Sequence, residues 1–322
     1  MQPRLKSSFI YLANAVNDLR GNWPTLALAL APLVVVAALC LLPDALNIQH
    51  GLAEKFAPGA RSVAWIPVQI PYQPLAAEGQ SEFPQWALTI FHWLVFAVTL
   101  ATQLLVLCAI RRWQSGLRKP GALAEAIEIY RDAARNAAAF AWVVILQLGL
   151  PTLAFKVLEL DLMVPGGVVA AMVYLALVIL MLAGSLIFLW LYFAPYALIF
   201  NQEHSFRALL ASRDLLRKRF FRVTTRIVVF LAVWSGFNAW VLGFFAAVSI
   251  ILGPLAILTG YIGAAIFLIN LATLAVTYAT NVFLIAAGYR LYQDLREAAA
   301  ARAGAAMPAT APLADLSAPA AR

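Results

Sequence analysis

The sequence has few charged residues for its length. Asp, Glu, Lys and Arg make up 12% of the 322 residues, whereas hydrophobic residues make up 63% and the mean hydropathy is +0.84. A soluble domain carries roughly a quarter charged residues. This composition therefore excludes an ordinary water-soluble surface, and we expect lipid to surround most of the protein.

Cysteine and the usual catalytic motifs are also scarce. Cys40 and Cys108 lie in different apolar runs, near opposite membrane faces in the topology proposed below, so no disulfide within one chain is expected. The sequence has no metal-ligand spacing of His, Cys, Asp and Glu, no Gly-x-Ser-x-Gly, no Walker loop and no Gly-rich dinucleotide motif. These absences predict a protein that is not an enzyme and has no metal or cofactor.

Six apolar runs are long enough to cross a membrane. A helix of about 20 residues spans a hydrocarbon core of about 30 Å. The segments that reach this length are 23–43, 86–110, 137–158, 168–200, 223–252 and 255–288. Only the helix-breaking residues Gly253 and Pro254 separate the last two runs, so a tight hairpin is predicted there. The predicted fold is an all-α membrane bundle with six transmembrane helices in three hairpins.

Basic residues are placed unevenly around these runs. All but three of the 23 Lys and Arg residues fall in four segments of the chain, and the third segment extends to Arg226 in the first turn of span five. The three exceptions are Lys55, Arg61 and Lys156. These segments precede span one, join spans two and three, join spans four and five, and follow span six. Short loops rich in Lys and Arg stay in the cytoplasm. We therefore expect a multi-pass protein of the bacterial inner membrane with both termini cytoplasmic.

This topology divides the chain into regions. Residues 1–22 form a cytoplasmic amphipathic segment, residues 23–290 the transmembrane domain, and residues 291–322 a disordered Ala/Pro-rich tail. The extracytoplasmic loop is 44–84. The net charge of +8 sits in short patches that flank apolar runs, which indicates anionic lipid headgroups rather than nucleic acid as the partner. The sequence leaves open whether the protein also binds another membrane protein or forms a homo-oligomer.

An amphipathic stretch precedes each odd-numbered span. Apolar residues recur at helical spacing in all three, beginning at Phe9, Leu123 and Phe206, and the second stretch has Glu125 and Glu128 on its polar side. One acidic residue occupies a similar place in each stretch: Asp18, Asp132 and Asp214. The pattern predicts three copies of a unit in which an interfacial helix precedes a hairpin.

The third amphipathic stretch carries a recognisable motif. Pro195 ends a long span, a polar turn follows, and the next helix has an Ala-Leu-x-x-Ser core from Ala208 to Ser212. An interfacial basic cluster follows, formed by Arg213, Arg217, Lys218 and Arg219. This stretch resembles a group of bacterial six-helix membrane proteins, which includes the membrane domain of some glycerophosphoryl diester phosphodiesterases and related uncharacterised families. The resemblance implies the architecture without the hydrolytic activity, since no long non-membrane segment could house a catalytic domain.

Polar side chains inside the predicted spans suggest a candidate polar path. Its members are His92, Gln103, Gln147, Asn238 and Asn270. An ionisable residue within a membrane usually indicates a functional site. Intramembrane amides, however, also join helices by hydrogen bonds. Transport predicts that Gln147, Asn238 and Asn270 meet in one cavity. A structural role predicts separate contacts between helices.

Three functions are compatible with these patterns. We favour a non-enzymatic scaffold, or a protein that organises lipids or envelope components, because buried charge is almost absent and three basic interfacial helices are present. The alternative is a transporter or permease for an apolar or amphiphilic small molecule. A membrane-embedded enzyme of lipid metabolism would require two titratable groups within hydrogen-bond reach at one membrane depth.

Overall fold

Every regular element in the described part of the chain is an α-helix. The computed structural model describes residues 5–55, 85–160, 168–217, 219–258 and 262–306. Its helices are α1 (Ser8–Arg20), α2 (Trp23–Lys55), α3 (Gln85–Gln114), α4 (Ala122–Leu160), α5 (Val168–Leu191), α6 (Ala194–Asn201), α7 (Ser205–Arg217), α8 (Phe220–Leu258) and α9 (Ile262–Ala306). The all-α prediction is confirmed for these residues.

Five stretches of these helices are long and apolar enough to cross a membrane. They are Trp23–Cys40, Phe96–Gln114, Val178–Asn201, Phe220–Phe245 and Phe267–Ala301. Large apolar side chains cover their outward faces, such as Leu182 with 61% and Trp240 with 68% of its surface exposed. Soluble monomers rarely expose apolar patches larger than a few hundred Å². Helices of this kind fit a multi-pass membrane protein.

Long helices that are neighbours in sequence pack against each other. α2 contacts α3, α4 contacts α5, and α8 contacts α9, while α1 packs on α9 and so joins the two ends of the described chain. The larger of two apolar clusters in the described residues includes Leu26 of α2, Leu107 of α3, Ile129 of α4, Ile199 of α6 and Tyr292 of α9. Cys40 and Cys108 are both buried and unpaired, as expected.

Two helices continue beyond their predicted ends through a proline. α2 runs through Pro43 to Lys55, and α8 runs through Gly253 and Pro254 to Leu258. The predicted tight hairpin at Gly253–Pro254 is therefore wrong, and residues 44–55 of the predicted extracytoplasmic loop are helical. A proline removes one backbone hydrogen bond, and a helix that continues keeps its other backbone groups paired where no water is present. Most of the predicted loop, residues 56–84, lies outside the described residues.

The last helix also extends further than predicted. α9 continues to Ala306, so residues 291–306 belong to a helix and not to a tail that begins at 291. Tyr292, Leu295 and Ala298 are buried, and alanine has the highest helix propensity. Apolar anchors and alanines therefore prolong the helix beyond the predicted span. The prediction for residues 307–322 lies outside the described part of the chain.

The predicted fourth span is divided into two helices. α5 ends at Leu191, Tyr192 and Phe193 form a turn, and α6 begins at Ala194 with Pro195 in its first turn. Proline suits this position because its fixed φ is helical and its missing N–H has no partner there. α6 lies in the core, where the Tyr196 ring stacks on Tyr292 with centroids 5.9 Å apart.

Gly288 allows α6 to approach α9 closely. The Tyr196 hydroxyl donates a hydrogen bond to the Ile285 carbonyl, at 3.2 Å, and passes directly over Gly288. A Cβ atom at position 288 would overlap this hydroxyl and would lie 3.3 Å from the Tyr192 hydroxyl. A side chain at this position is therefore incompatible with the observed position of Tyr196.

Gly288→Ala should lower the free energy of unfolding by about 1–3 kcal/mol, because an added methyl group overpacks the contact. The thermal unfolding midpoint of the detergent-purified protein measures this loss. The double variant Gly288→Ala/Tyr196→Phe should recover part of it, since the overlapping oxygen is gone. If Tyr196→Phe fails to restore any stability to Gly288→Ala, the hydroxyl is not the obstacle.

Candidate functional site

Several candidate functional residues lie at one end of the bundle, which we call the arginine-rich end. It comprises α1, the last turn of α3, the first turns of α4, α7 and the second half of α9. α1 and α3 each contact α9, α3 contacts α4, and α4 and α9 each contact α7. Three sets of polar contacts hold these elements in place. Each set joins a helix terminus to a neighbouring helix.

The first set is the Arg112 network, which joins the end of α3 to the start of α4. Arg112 is only 5% exposed and Glu125 only 3%. The Arg112 Nε donates to Glu125 Oε1 at 2.9 Å, Nη1 donates to Asp132 Oδ2 at 3.0 Å, and Nη2 donates to the Leu117 carbonyl at 2.7 Å. Nη1 also lies 4.0 Å from Glu128 Oε2. Glu125 accepts a further hydrogen bond from the Lys119 backbone N–H, at 2.8 Å.

The connection between α3 and α4 brings these groups together. Gly116 and Gly121 adopt positive φ, which side-chain-bearing residues rarely do, so the chain turns sharply on both sides of Leu117 and Lys119. Burial alone would raise the pKa of the Glu125 carboxyl. The hydrogen bonds from Arg112 and from the Lys119 N–H outweigh burial, and the pKa lies below its ordinary value. Glu125 is therefore ionised near neutral pH, which suits a structural ion pair rather than an acid or base catalyst.

The position of Glu125 corrects one sequence prediction. Glu125 was assigned to the polar side of an amphipathic helix, yet it faces the bundle, whereas Leu123 and Ile127 of the same helix are exposed. The reason is the cost of leaving Arg112 buried without a counter-charge, which exceeds the gain from burying one more leucine. No pattern along α4 alone contains this information.

The second set joins α1 to α9. Arg290 of α9 donates from Nε to Asp18 Oδ2 at 2.6 Å and from Nη2 to the other oxygen of the same carboxylate. The Tyr11 hydroxyl donates to Asp294 at 2.7 Å. Burial and the hydrogen bond to Asp294 raise the pKa of Tyr11, so its hydroxyl stays protonated and remains a donor.

These two sets repeat one arrangement. They support two of the three predicted equivalent acidic positions, Asp18 and Asp132. Asp18 and Asp132 each pair with an arginine of another helix. Asn22 and Asn136, four residues later, each donate to the aspartate's own backbone carbonyl at 2.7 Å. The buried residues also correspond: Tyr11, Ala15 and Leu19 on α1, and Glu125, Ile129 and Ala133 on α4. The third copy departs from this register, because Asp214 is exposed and the buried positions of α7 are Ala208, Ser212 and Leu216.

The third set places α7 against the break between α5 and α6. Ser212 is fully buried, and its hydroxyl donates to the Trp190 carbonyl at 2.7 Å and accepts from the Phe193 N–H at 3.2 Å. The turn before Pro195 interrupts the helical ladder, and Ser212 supplies partners to two of the freed backbone groups. This contact explains why a serine stands in the Ala-Leu-x-x-Ser core.

Two cavities, each of about 310 Å³, open at the arginine-rich end. The first is polar and lies between α1, α3 and α9, where Arg118 donates to Asn22 and stands 5.8 Å from the centre of the Trp113 ring. The second lies between α5, α7 and the start of α8. Its lining residues are Leu186, Trp190, Arg213, Arg217 and Phe220.

The structure divides the predicted basic cluster. Arg213 and Arg217 are exposed and line the second cavity together, whereas Arg219 is buried. Lys218 lies outside the described residues. The cluster is therefore not one continuous surface, because the turn into α8 directs Arg219 inward.

The structure provides one contact that bears on the candidate polar path. Asn238 of α8 is buried, donates to the Trp234 carbonyl at 2.8 Å and accepts from Thr277 of α9 at 3.1 Å, which is a contact between helices. Gln147 is buried and Gln103 and Asn270 are half-buried. Neither these three residues nor Asn238 lines either cavity described above. The His92 side chain lies outside the described side chains. Convergence of the path residues stays a prediction.

Metal binding has no support in the described ranges. Within them, no group of three or more His, Cys, Asp and Glu side chains is placed to hold a metal ion. The carboxylates of Glu125 and Asp132 are instead directed at Arg112.

Comparison with known proteins gives no family. No protein-family model matches the chain, and neither a curated protein nor a solved structure matches it. The resemblance of residues 193–217 to six-helix bacterial membrane proteins therefore stays a prediction.

Glu125→Gln should lower the free energy of unfolding by about 3 kcal/mol, because it leaves Arg112 buried with less counter-charge. The effect depends on pH. The pKa of Glu125 is lowered in the folded protein, so its stabilisation is complete above the ordinary glutamate pKa of about 4.3 and disappears as the pH falls through the lowered value. Thermal unfolding midpoints of both proteins at a series of pH values should converge on acidification.

The matched control is Glu128→Gln, three residues further along α4. Glu128 receives hydrogen bonds from the exposed side chains of Lys119 and Arg131, so its loss should shift the midpoint far less. Equal shifts for the two variants at neutral pH would contradict the structural role assigned to Glu125.

Proposed function

We propose that this chain is a six-span protein of the bacterial inner membrane whose arginine-rich end faces the cytoplasm. In this proposal it binds anionic phospholipid headgroups there and acts as a non-enzymatic scaffold that organises lipids or envelope components. One observation carries the proposal most directly. It is the coexistence of exposed cations and exposed apolar side chains on the short helix α7.

α7 has the properties of a helix that lies in the membrane interface. Arg207, Arg213 and Arg217 are exposed, and so are Phe206, with 70% of its surface accessible, and Leu210. Apolar side chains of such a helix enter the headgroup boundary while cations face anionic lipid. Each Lys or Arg near an anionic surface contributes about 1 kcal/mol of attraction, so several together favour anionic over zwitterionic lipid.

The sixth span is assigned to the second half of α4. α4 has 39 residues, which at 1.5 Å per residue gives a length of about 58 Å. A hydrocarbon core of about 30 Å takes roughly half of that length. The first half carries the Arg112 network, and the second half contains the apolar run 137–158. The contact of α4 with α5 then makes a second hairpin beside those of α2 with α3 and α8 with α9.

The polar contacts support a scaffold more than an enzyme or a transporter. Glu125 and Asp132 are engaged by one arginine, whereas acid–base catalysis needs a group whose pKa lies near the working pH. The amide of Asn238 joins two helices, as the structural alternative predicts. The role of Ser212 also supports a shared architecture with the six-helix proteins that the motif resembles.

The topology predicts which engineered cysteines react with a membrane-impermeant maleimide in spheroplasts. In a chain with Cys40→Ala and Cys108→Ala, the variants Ser81→Cys and Asp161→Cys should react in intact spheroplasts. Ser115→Cys and Ser317→Cys should react only after permeabilisation. Reaction of Asp161→Cys only after permeabilisation would show that α4 does not cross the membrane, and a reversed pattern at all four sites would overturn the orientation.

The lipid preference predicts the composition of the lipid around the purified protein. Full-length protein in nanodiscs of phosphatidylcholine and phosphatidylglycerol should, on extraction into detergent, retain phosphatidylglycerol in excess of its share in the disc. The excess should fall as salt is raised, because salt screens attraction between exposed charges. Quantitative lipid mass spectrometry measures the ratio. A retained ratio equal to that of the disc at low salt would contradict the proposed function.

A further inference from the structure

We propose that the cavity between α5, α7 and the start of α8 is a binding site for one anionic glycerophospholipid. In this site, which we call the α5–α7 groove, Arg213 and Arg217 hold the phosphate, and Leu186, Trp190 and Phe220 receive the first part of an acyl chain. The inference rests on the proposed function and names the particular lipid site within it.

The two arginines are placed to act on one anionic group. Arg213 and Arg217 are separated by four residues on α7, which puts their side chains on one face with Cβ atoms about 5–6 Å apart. Both are exposed, and neither has a hydrogen bond or ion pair to another residue in the described ranges. Arginine binds phosphate through parallel N–H donors, so a phosphate between the two side chains would supply the missing partner.

Three other arginines at this end already have partners within the protein. Arg112 and Arg290 are paired with carboxylates. Arg226 donates to the backbone carbonyls of Lys6 and Leu5, at 3.0 and 3.1 Å. The pair in the α5–α7 groove therefore differs from them in having its donors directed outward beside an apolar wall.

The apolar wall of the groove is open to the side of the bundle. Leu186 is 49% and Trp190 46% exposed, and the Trp190 ring meets the Phe220 ring edge to face with centroids 6.2 Å apart. Tryptophan concentrates where the acyl region meets the headgroups. Cations at one end of the groove and apolar surface along the rest match a phospholipid, which has its phosphate next to its acyl chains.

The position of the arginines relative to Trp190 is set by the fold. Ser212, the residue before Arg213, is bonded to the Trp190 carbonyl and to the Phe193 N–H. α7 therefore cannot slide along α5 without breaking buried hydrogen bonds. A site built on elements that are locked together in this way needs little reorganisation when a ligand binds.

A free phosphate or a headgroup without its chains would use only the charged part of the groove. Three of the five lining side chains are apolar, and burying them contributes about 25 cal/mol per Å² only if the ligand is apolar too. We therefore commit to an intact phospholipid as the occupant, and the experiment below separates it from the free ion.

The test counts the phosphatidylglycerol molecules that stay bound to the delipidated full chain, by native mass spectrometry during a lipid titration. The wild type should show one site that is tighter than the rest. Arg213→Gln/Arg217→Gln should weaken that site about 30-fold, since each arginine near an anionic lipid contributes about a fivefold factor. The control Arg207→Gln/Arg222→Gln removes the same charge from exposed positions outside the groove and should leave the tight site intact.

The apolar wall is tested by a tryptophan pair. Trp190→Ala should weaken the tight site, whereas Trp240→Ala, which removes an exposed tryptophan from α8, should not. Inorganic phosphate should fail to displace the lipid, and its success would show an ion site and overturn the inference. Equal weakening by the two double arginine variants would also overturn it, while general enrichment of anionic lipid in nanodiscs would persist and leave the proposed function standing.

Discussion

A buried guanidinium organises the arginine-rich end. Arg112 lies at the end of an apolar helix and is almost entirely covered, and an uncompensated charge in that position would cost several kcal/mol. Its partners come from the first turns of α4 and from the Leu117 carbonyl in the connection. Satisfying one arginine thus determines how the chain turns from α3 to α4 and which face of α4 points inward. The pair of Asp18 and Arg290 does the same for α1 and α9, so the two ends of the described chain are tied by charge.

The remainder of the bundle depends on a different balance. Along the stretches that are long and apolar enough to cross a membrane, the helices meet through apolar side chains, with occasional polar links such as the one between Asn238 and Thr277. Their outer faces carry large exposed apolar side chains. Such faces are compatible with lipid, in which burial against another helix gains little over contact with acyl chains. Specific geometry is therefore concentrated at the arginine-rich end, where polar contacts can fix it, and this is also where the proposed lipid site lies.

Helix type was predictable, whereas helix ends and inward faces were not. Long apolar runs with flanking charge indicate membrane helices whatever their neighbours are, and the described residues of these runs are helical apart from the turn at Tyr192 and Phe193. Helix ends were predicted at Pro43 and Pro254, but α2 and α8 continue through these residues. A proline costs one backbone hydrogen bond, whereas ending the helix would leave several backbone groups without partners. Glu125 looked like a surface residue because its partner, Arg112, lies on a different helix. Arg213 and Arg217 were recognised as interfacial, but the apolar groove beside them depends on how α5 and α7 meet.

Composition and local pattern by themselves determined that this chain is helical, that several of its helices are long and apolar enough to cross a membrane, and where its cations accumulate. These properties follow from solvation, which acts on each segment separately. Tertiary structure alone decided which cations are occupied and which are exposed beside an apolar wall. It also decided that Ser212 of α7 forms hydrogen bonds with the backbone groups left unpaired by the turn before Pro195. Such pairings join residues that are distant in sequence, and they exist only once the helices have packed.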